Sequence, residues 1–131
     1  MNPVFMQGGC HADVRGTLRY CNGFAMSAVK RFYTIANSAE RPIRGWIGHK
    51  KERKWFFPLR GRTEILVKSF NAEEQRDGET VTFVLDATKP GVLDVPPRHW
   101  FCIKQDGDSE VMVFSNCAVG EFEGDDLRRP L

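Results

Sequence analysis

The sequence predicts an all-β fold, and three observations carry that prediction. Short runs rich in β-branched and aromatic residues recur roughly every ten residues. Gly, Pro, Asn and Asp break each run from the next. Segments with the 3.6-residue apolar period of a helix are scarce. Eight or more short strands within 131 residues fit a closed sandwich or an antiparallel jelly roll in one domain, 1–131.

The strands are expected at 16–20, 28–36, 54–59, 63–70, 79–85, 91–95, 100–104 and 110–115. The first two carry Leu18 and Tyr20, then Val29, Phe32, Tyr33 and Ile35. The third is the aromatic run Trp55-Phe56-Phe57-Pro58-Leu59, and the fourth alternates through Ile65 and Val67. Val81-Thr82-Phe83-Val84-Leu85 and Val111-Met112-Val113-Phe114 are the clearest β-branched and aromatic runs. Pro96-Pro97 must end the strand before it, since proline cannot donate to an interior ladder. Asp106-Gly107-Asp108 has the composition of a hairpin turn. The polar stretch 71–78 is expected to be a loop or a single helical turn. The polar tail, 120–131, on its own would be a flexible end.

Composition narrows the function classes. Hydrophobic content of 41% and charged content of 27% are those of an ordinary globular protein. A formal net charge of +2 gives no field that would favour nucleic acid or a membrane surface. No run approaches the roughly 18 apolar residues of a spanning helix. The first ten residues lack the basic and apolar regions of a signal peptide, so a cytoplasmic location is expected. Cys10, Cys21, Cys102 and Cys117 form no CxxC pair, so they are expected to be reduced and to bind no zinc.

One segment concentrates the chemistry. Arg44 to Lys54 holds a glycine-flanked histidine, His49, a carboxylate, Glu52, and five cationic side chains, then runs at once into the apolar strand. Such a segment places reactive groups at the lip of a rigid element, where a small-molecule site can be pre-organised. A metal site made of His49, Glu52 and His99 is the chemical alternative, but it offers too few well-placed ligands.

Six motifs then stand in one order: Asp13-Val14-Arg15-Gly16; Val29-Lys30-Arg31-Phe32-Tyr33; Arg44-Gly45 with Gly48-His49-Lys50; Gly61; Val95-Pro96-Pro97-Arg98-His99-Trp100; and Asp126-Leu127-Arg128. The series resembles the nucleotide-sugar 3,4-ketoisomerases, the WxcM-like branch of the cupin superfamily, over nearly the whole chain. The resemblance implies a cupin jelly roll, usually a homodimer. It also implies action on a thymidine diphosphate (dTDP)-linked 4-keto-6-deoxyhexose, with no metal or organic cofactor. A histidine in that family moves a proton between C3 and C4, and imidazole suits the task because it titrates near neutrality.

The chain departs from the family pattern, RG-x-His-Ala-His-Lys, at the first histidine, where it has Ile47; the second is His49. The related 3,5-epimerases also carry their base at the position of Ile47. Lys54, seven residues before Gly61, matches instead a functional lysine of those epimerases. The expected catalytic residues are His49 as base and Tyr33 as donor. Arg44, Arg31, Lys54, His99 and Trp100 are the expected substrate contacts. The alternatives are a 3,5-epimerase-like enzyme and a nucleotide-sugar-binding cupin without turnover.

Overall fold

Alternating apolar residues build two antiparallel sheets whose inner faces share one core. A computed structural model describes residues 1–71 and 73–131. The strands are β1 (Val4–Gln7), β2 (Gly9–Asp13), β3 (Gly16–Tyr20), β4 (Arg31–Ile35), β5 (Ile43–His49), β6 (Lys54–Arg60), β7 (Arg62–Asn71), β8 (Arg76–Asp77), β9 (Val81–Asp86), β10 (Gly91–Val95), β11 (His99–Gln105), β12 (Glu110–Ser115) and β13 (Leu127–Arg128). There is no helix among the described residues, and so none long and apolar enough to cross a membrane.

One sheet runs β1-β10-β6-β12-β4, and the facing sheet runs β13-β5-β11-β7 with β8 and β9 both paired to β7. This is the antiparallel jelly roll that the strand spacing predicts. Phe56, Leu93, Val111 and Val113 of the first sheet meet Ile47, Ile65, Val67, Phe101 and Ile103 of the second, all of them buried. Phe56 and Phe101 cross edge to face at 5.4 Å between ring centroids. One end of this interior is plugged by Gln105, whose amide donates to Ile35 O at 3.0 Å and Thr63 Oγ1 at 3.1 Å. The other end stays open, and the polar inward residues of β4, β5 and β6 gather there.

Three expectations need correction. Residues 44–49 are not a charged lip but most of the strand β5. Its two glycines and two charged or titratable residues hide the β signal, and only the turn after it is a loop. The stretch 71–78, expected as a loop or a single helical turn, holds a turn at 73–75 and then the short strand β8; Ala72 lies outside the described residues. The tail is not a free end, because Leu127 and Arg128 pair with Gly48 and Ile47 of β5. Trp46 and Arg129 also exchange two backbone hydrogen bonds of 3.2 Å.

The N-terminus divides in two. β1 pairs with β10 of its own chain, whereas β2 and β3 form a separate hairpin that leaves Val14, Leu18 and Tyr20 exposed.

Candidate active site

The open end of the jelly roll holds a cavity of about 530 Å³. Its floor is apolar, formed by Ile35, Ile47, Phe56, Phe101 and Ile103. Its walls carry Arg31, Tyr33, Arg44, His49, Glu52 and Lys54, and the segment from Cys117 to Asp126 closes one side. An apolar floor with a few convergent polar groups is the ordinary build of a small-molecule site.

Strand geometry explains the gathering. On β6, period-2 alternation turns Lys54 inward with Phe56 and sends Trp55 to the opposite face, against Phe24. On β4 the same rule aligns Arg31, Tyr33 and Ile35. Arg44 and Ile47 are three apart and should face opposite ways. A β-bulge resolves this: Ile103 pairs with Arg44 and Phe101 with Ile47, so two steps on β11 span three on β5. Gly45 makes the bulge possible. Its φ is +131°, and a Cβ there would lie 2.7 Å from Phe101 O and 2.9 Å from Cys102 Cα.

His49 is buried in the wall. Its Nδ1 lies 3.1 Å from the backbone oxygen of Asp125 and 3.7 Å from Glu52 Oε1. Its Nε2 is buried and has no hydrogen-bond partner among the described residues. Burial, then the nearby Lys54 ammonium, push the imidazole pKa below its ordinary value, and the Glu52 carboxylate offsets only part of this. The ring is therefore neutral at neutral pH.

Glu52 ties the polar groups together. Its Oε2 accepts the Ser115 hydroxyl at 2.6 Å and sits 3.6 Å from Lys54 Nζ and 3.8 Å from Arg31. Lys54 Nζ and the Arg31 guanidinium also lie 5.5 Å and 5.3 Å from the centre of the Tyr33 ring. Arg31 is further held by an Nε–H bond of 2.9 Å to Cys117 O. Arg44, by contrast, is exposed and makes no ion pair among the described residues.

Five of the seven expected site residues thus meet at one cavity: His49, Tyr33, Arg44, Lys54 and Arg31. The structure does not bring His99 or Trp100 to its wall. His99 is buried, with Nδ1 3.2 Å from Pro96 O and 3.0 Å from Pro97 O. Those proline carbonyls hold its ring beside the turn that precedes β11. Trp100 faces outward between the Arg129 guanidinium, 4.5 Å away, and Phe70. No group of three His, Cys, Asp or Glu side chains is placed to hold a metal ion among the described residues. Sequence reasoning missed Ser115 and Asp125. Ser115 looked like the polar end of a strand, and Asp125 lay in a tail read as flexible. The only signal for Asp125 was its place beside the Asp126-Leu127-Arg128 motif.

No protein-family model matches the chain, and no curated protein matches it. Solved structures do. A double mutant of the QdtA 3,4-ketoisomerase from Thermoanaerobacterium thermosaccharolyticum, in complex with TDP, superposes with a TM-score of 0.74 at 21% identity, covering 98% of this chain and 88% of that one. The fold is that of the sugar 3,4-ketoisomerases. A 3,4-ketoisomerase from Helicobacter canadensis gives 0.73 at 18% identity, over 98% of this chain and 92% of the other. The RmlC epimerase of Mycobacterium tuberculosis shares the fold too, with a TM-score of 0.77 at 17% identity over 96% of this chain and 68% of that one. The resemblance read from the six motifs therefore holds in three dimensions, at the level of the fold.

Proposed function

We propose that this single-domain chain is an isomerase of a dTDP-linked 4-keto-6-deoxyhexose and moves the ketone between C4 and C3. The observation that carries the reading is the single cavity whose wall brings His49 together with Tyr33, Lys54, Arg31 and Arg44. Nε2 takes the proton from C3, next to the C4 ketone, and an enediol forms. The same nitrogen returns the proton to C4 while the hydroxyl proton passes from O3 to O4, so the substrate gains and loses no atoms. Lys54 Nζ and the Tyr33 hydroxyl stabilise the negative charge that develops on O4. Arg44 and Arg31 bind the diphosphate, for which a guanidinium fork is suited. The neighbouring folds that hold TDP and TDP-4-keto-6-deoxyglucose support that choice of ligand.

A second reading, 3,5-epimerisation, is favoured by one observation: Lys54 is buried in the cavity, at the position that resembles the epimerases' lysine. Incubation with dTDP-4-keto-6-deoxyglucose in deuterated water separates the two by NMR. Label at C3 or C4 with ketone migration supports the ketoisomerase, and label at C5 supports the epimerase. Neither label nor ketone migration from an intact, nucleotide-binding protein refutes both and leaves a binding module, a reading consistent with the near-complete enclosure of Nε2.

The homodimer is part of the same proposal. A lone two-stranded ribbon is marginally stable in water. The exposed Val14, Leu18 and Tyr20 of β2–β3 give it an apolar surface for a second subunit. A monomer by light scattering would refute this part alone.

A further inference from the structure

Asp125 touches the site twice, once with each kind of oxygen it has. Its carboxylate accepts three successive backbone N–H groups of the turn after β5: Lys50 at 2.9 Å, Lys51 at 3.1 Å and Glu52 at 2.9 Å. Its backbone carbonyl lies 3.1 Å from His49 Nδ1. The residue is buried, and its own N–H donates to Phe122 O at 3.0 Å. Two residues later the chain is pinned to β5 by Leu127 and Arg128. The carboxylate and the carbonyl therefore cannot move independently.

A carbonyl oxygen has no proton to give. An imidazole nitrogen bonded to it must carry the hydrogen, and a neutral ring has only one. Nε2 is then the bare nitrogen, which agrees with its lack of any partner among the described residues. The turn that Asp125 clamps also begins the path to Glu52, whose carboxylate fixes Lys54 and Ser115.

We infer that Asp125 is a positioning residue: its carbonyl locks His49 as the Nδ1–H tautomer, and its carboxylate clamps the 50–52 turn that sets His49 and Glu52 in place. The inference rests on the isomerase reading for its catalytic consequence, but the tautomer itself does not depend on any substrate. Nothing in the sequence pattern of the strand assigns this task; it comes from the tail.

The test is 15N NMR of the histidine side chains at neutral pH. The chain has three histidines, so the His49 signals are identified by their loss in His49→Asn. A protonated Nδ1 and an unprotonated Nε2 are expected in the wild type. Asp125→Asn turns one accepting oxygen into an NH2 that faces N–H donors. It should give a mixed tautomer and lower kcat by up to about 10²-fold, the scale of a small misplacement of a catalytic group, with KM unchanged. Asp125→Glu, which keeps the charge and shifts it by one methylene, should fall between the two. An Nε2–H tautomer in the wild type overturns the inference, whether or not either variant folds. So does a folded Asp125→Asn protein with the wild-type tautomer and full turnover. If the wild type neither labels the substrate nor moves its ketone yet shows the expected tautomer, the isomerase reading fails while the positioning geometry stands.

Discussion

Replacing Arg44 with alanine separates binding from folding more cleanly than any other change at the cavity. Arg44 is exposed and makes no ion pair among the described residues, so its loss breaks no bond that holds the fold. What it removes is a free guanidinium at the cavity wall, held toward the opening by the bulge at Gly45. A charge-assisted hydrogen bond to a phosphate is worth about 1.5 to 3 kcal/mol. At about 1.4 kcal/mol per tenfold, that is a loss of roughly 10- to 100-fold in affinity for thymidine diphosphate. Arg31 provides the contrast. Its guanidinium bonds Cys117 O at 2.9 Å and faces the buried Glu52, so Arg31→Ala should lose affinity and stability together. Titration calorimetry with thymidine diphosphate, paired with thermal melts, reads both quantities. An Arg44→Ala protein with unchanged affinity would show that Arg44 is only a surface residue and would refute the placement of the diphosphate.

Three more outcomes are expected. Because burial and Lys54 hold the His49 pKa below the ordinary value near 6.5, the unfolded chain binds more protons than the folded one between those two values. His49 therefore contributes stability that is present above about pH 6.5 and lost as pH falls toward the lowered pKa. The acid limb of the turnover profile should lie below pH 6.5 and move upward in Lys54→Met, which a pH–rate profile of both proteins checks. Phe56→Ala empties a fully buried position against Phe101 and should cost about 3 to 5 kcal/mol in denaturant unfolding; a loss under about 1 kcal/mol would mean the core is not packed as described. Ile47→His replaces a buried apolar side chain with a polar one and should destabilise the protein by about 1 to 3 kcal/mol. If a second imidazole is what this site lacks, the same variant should exchange substrate protons faster than the wild type.

Much of the fold was legible because most strands carry period-2 apolar alternation or a continuous aromatic run. The expected 91–95 and 110–115 coincide with β10 and β12. β5 was not legible, since its pairing rests on backbone and on a glycine bulge rather than on β-branched side chains. β13 is two polar-flanked residues that form a strand only because β5 offers an edge. The cavity shows the same division. His49, Lys54, Tyr33, Arg31 and Arg44 could be chosen from residue type, alternation and motif order. Asp125 could not, because it acts through main-chain contacts over 75 or so residues of separation, which no local pattern records. His99 was chosen for its place after two prolines, and the same prolines hold its ring beside their own carbonyls.

The most direct test of the central claim is proton exchange in His49→Asn. The variant and the wild type are incubated with dTDP-4-keto-6-deoxyglucose in deuterated water, and label at the sugar carbons is followed by NMR, with thymidine diphosphate binding measured alongside. Label at C3 or C4 is expected in the wild type. In the variant a loss of at least about 10²-fold is expected, the scale for removing a general base, with binding retained. Wild-type exchange in His49→Asn would contradict that claim and take the chemistry away from this histidine.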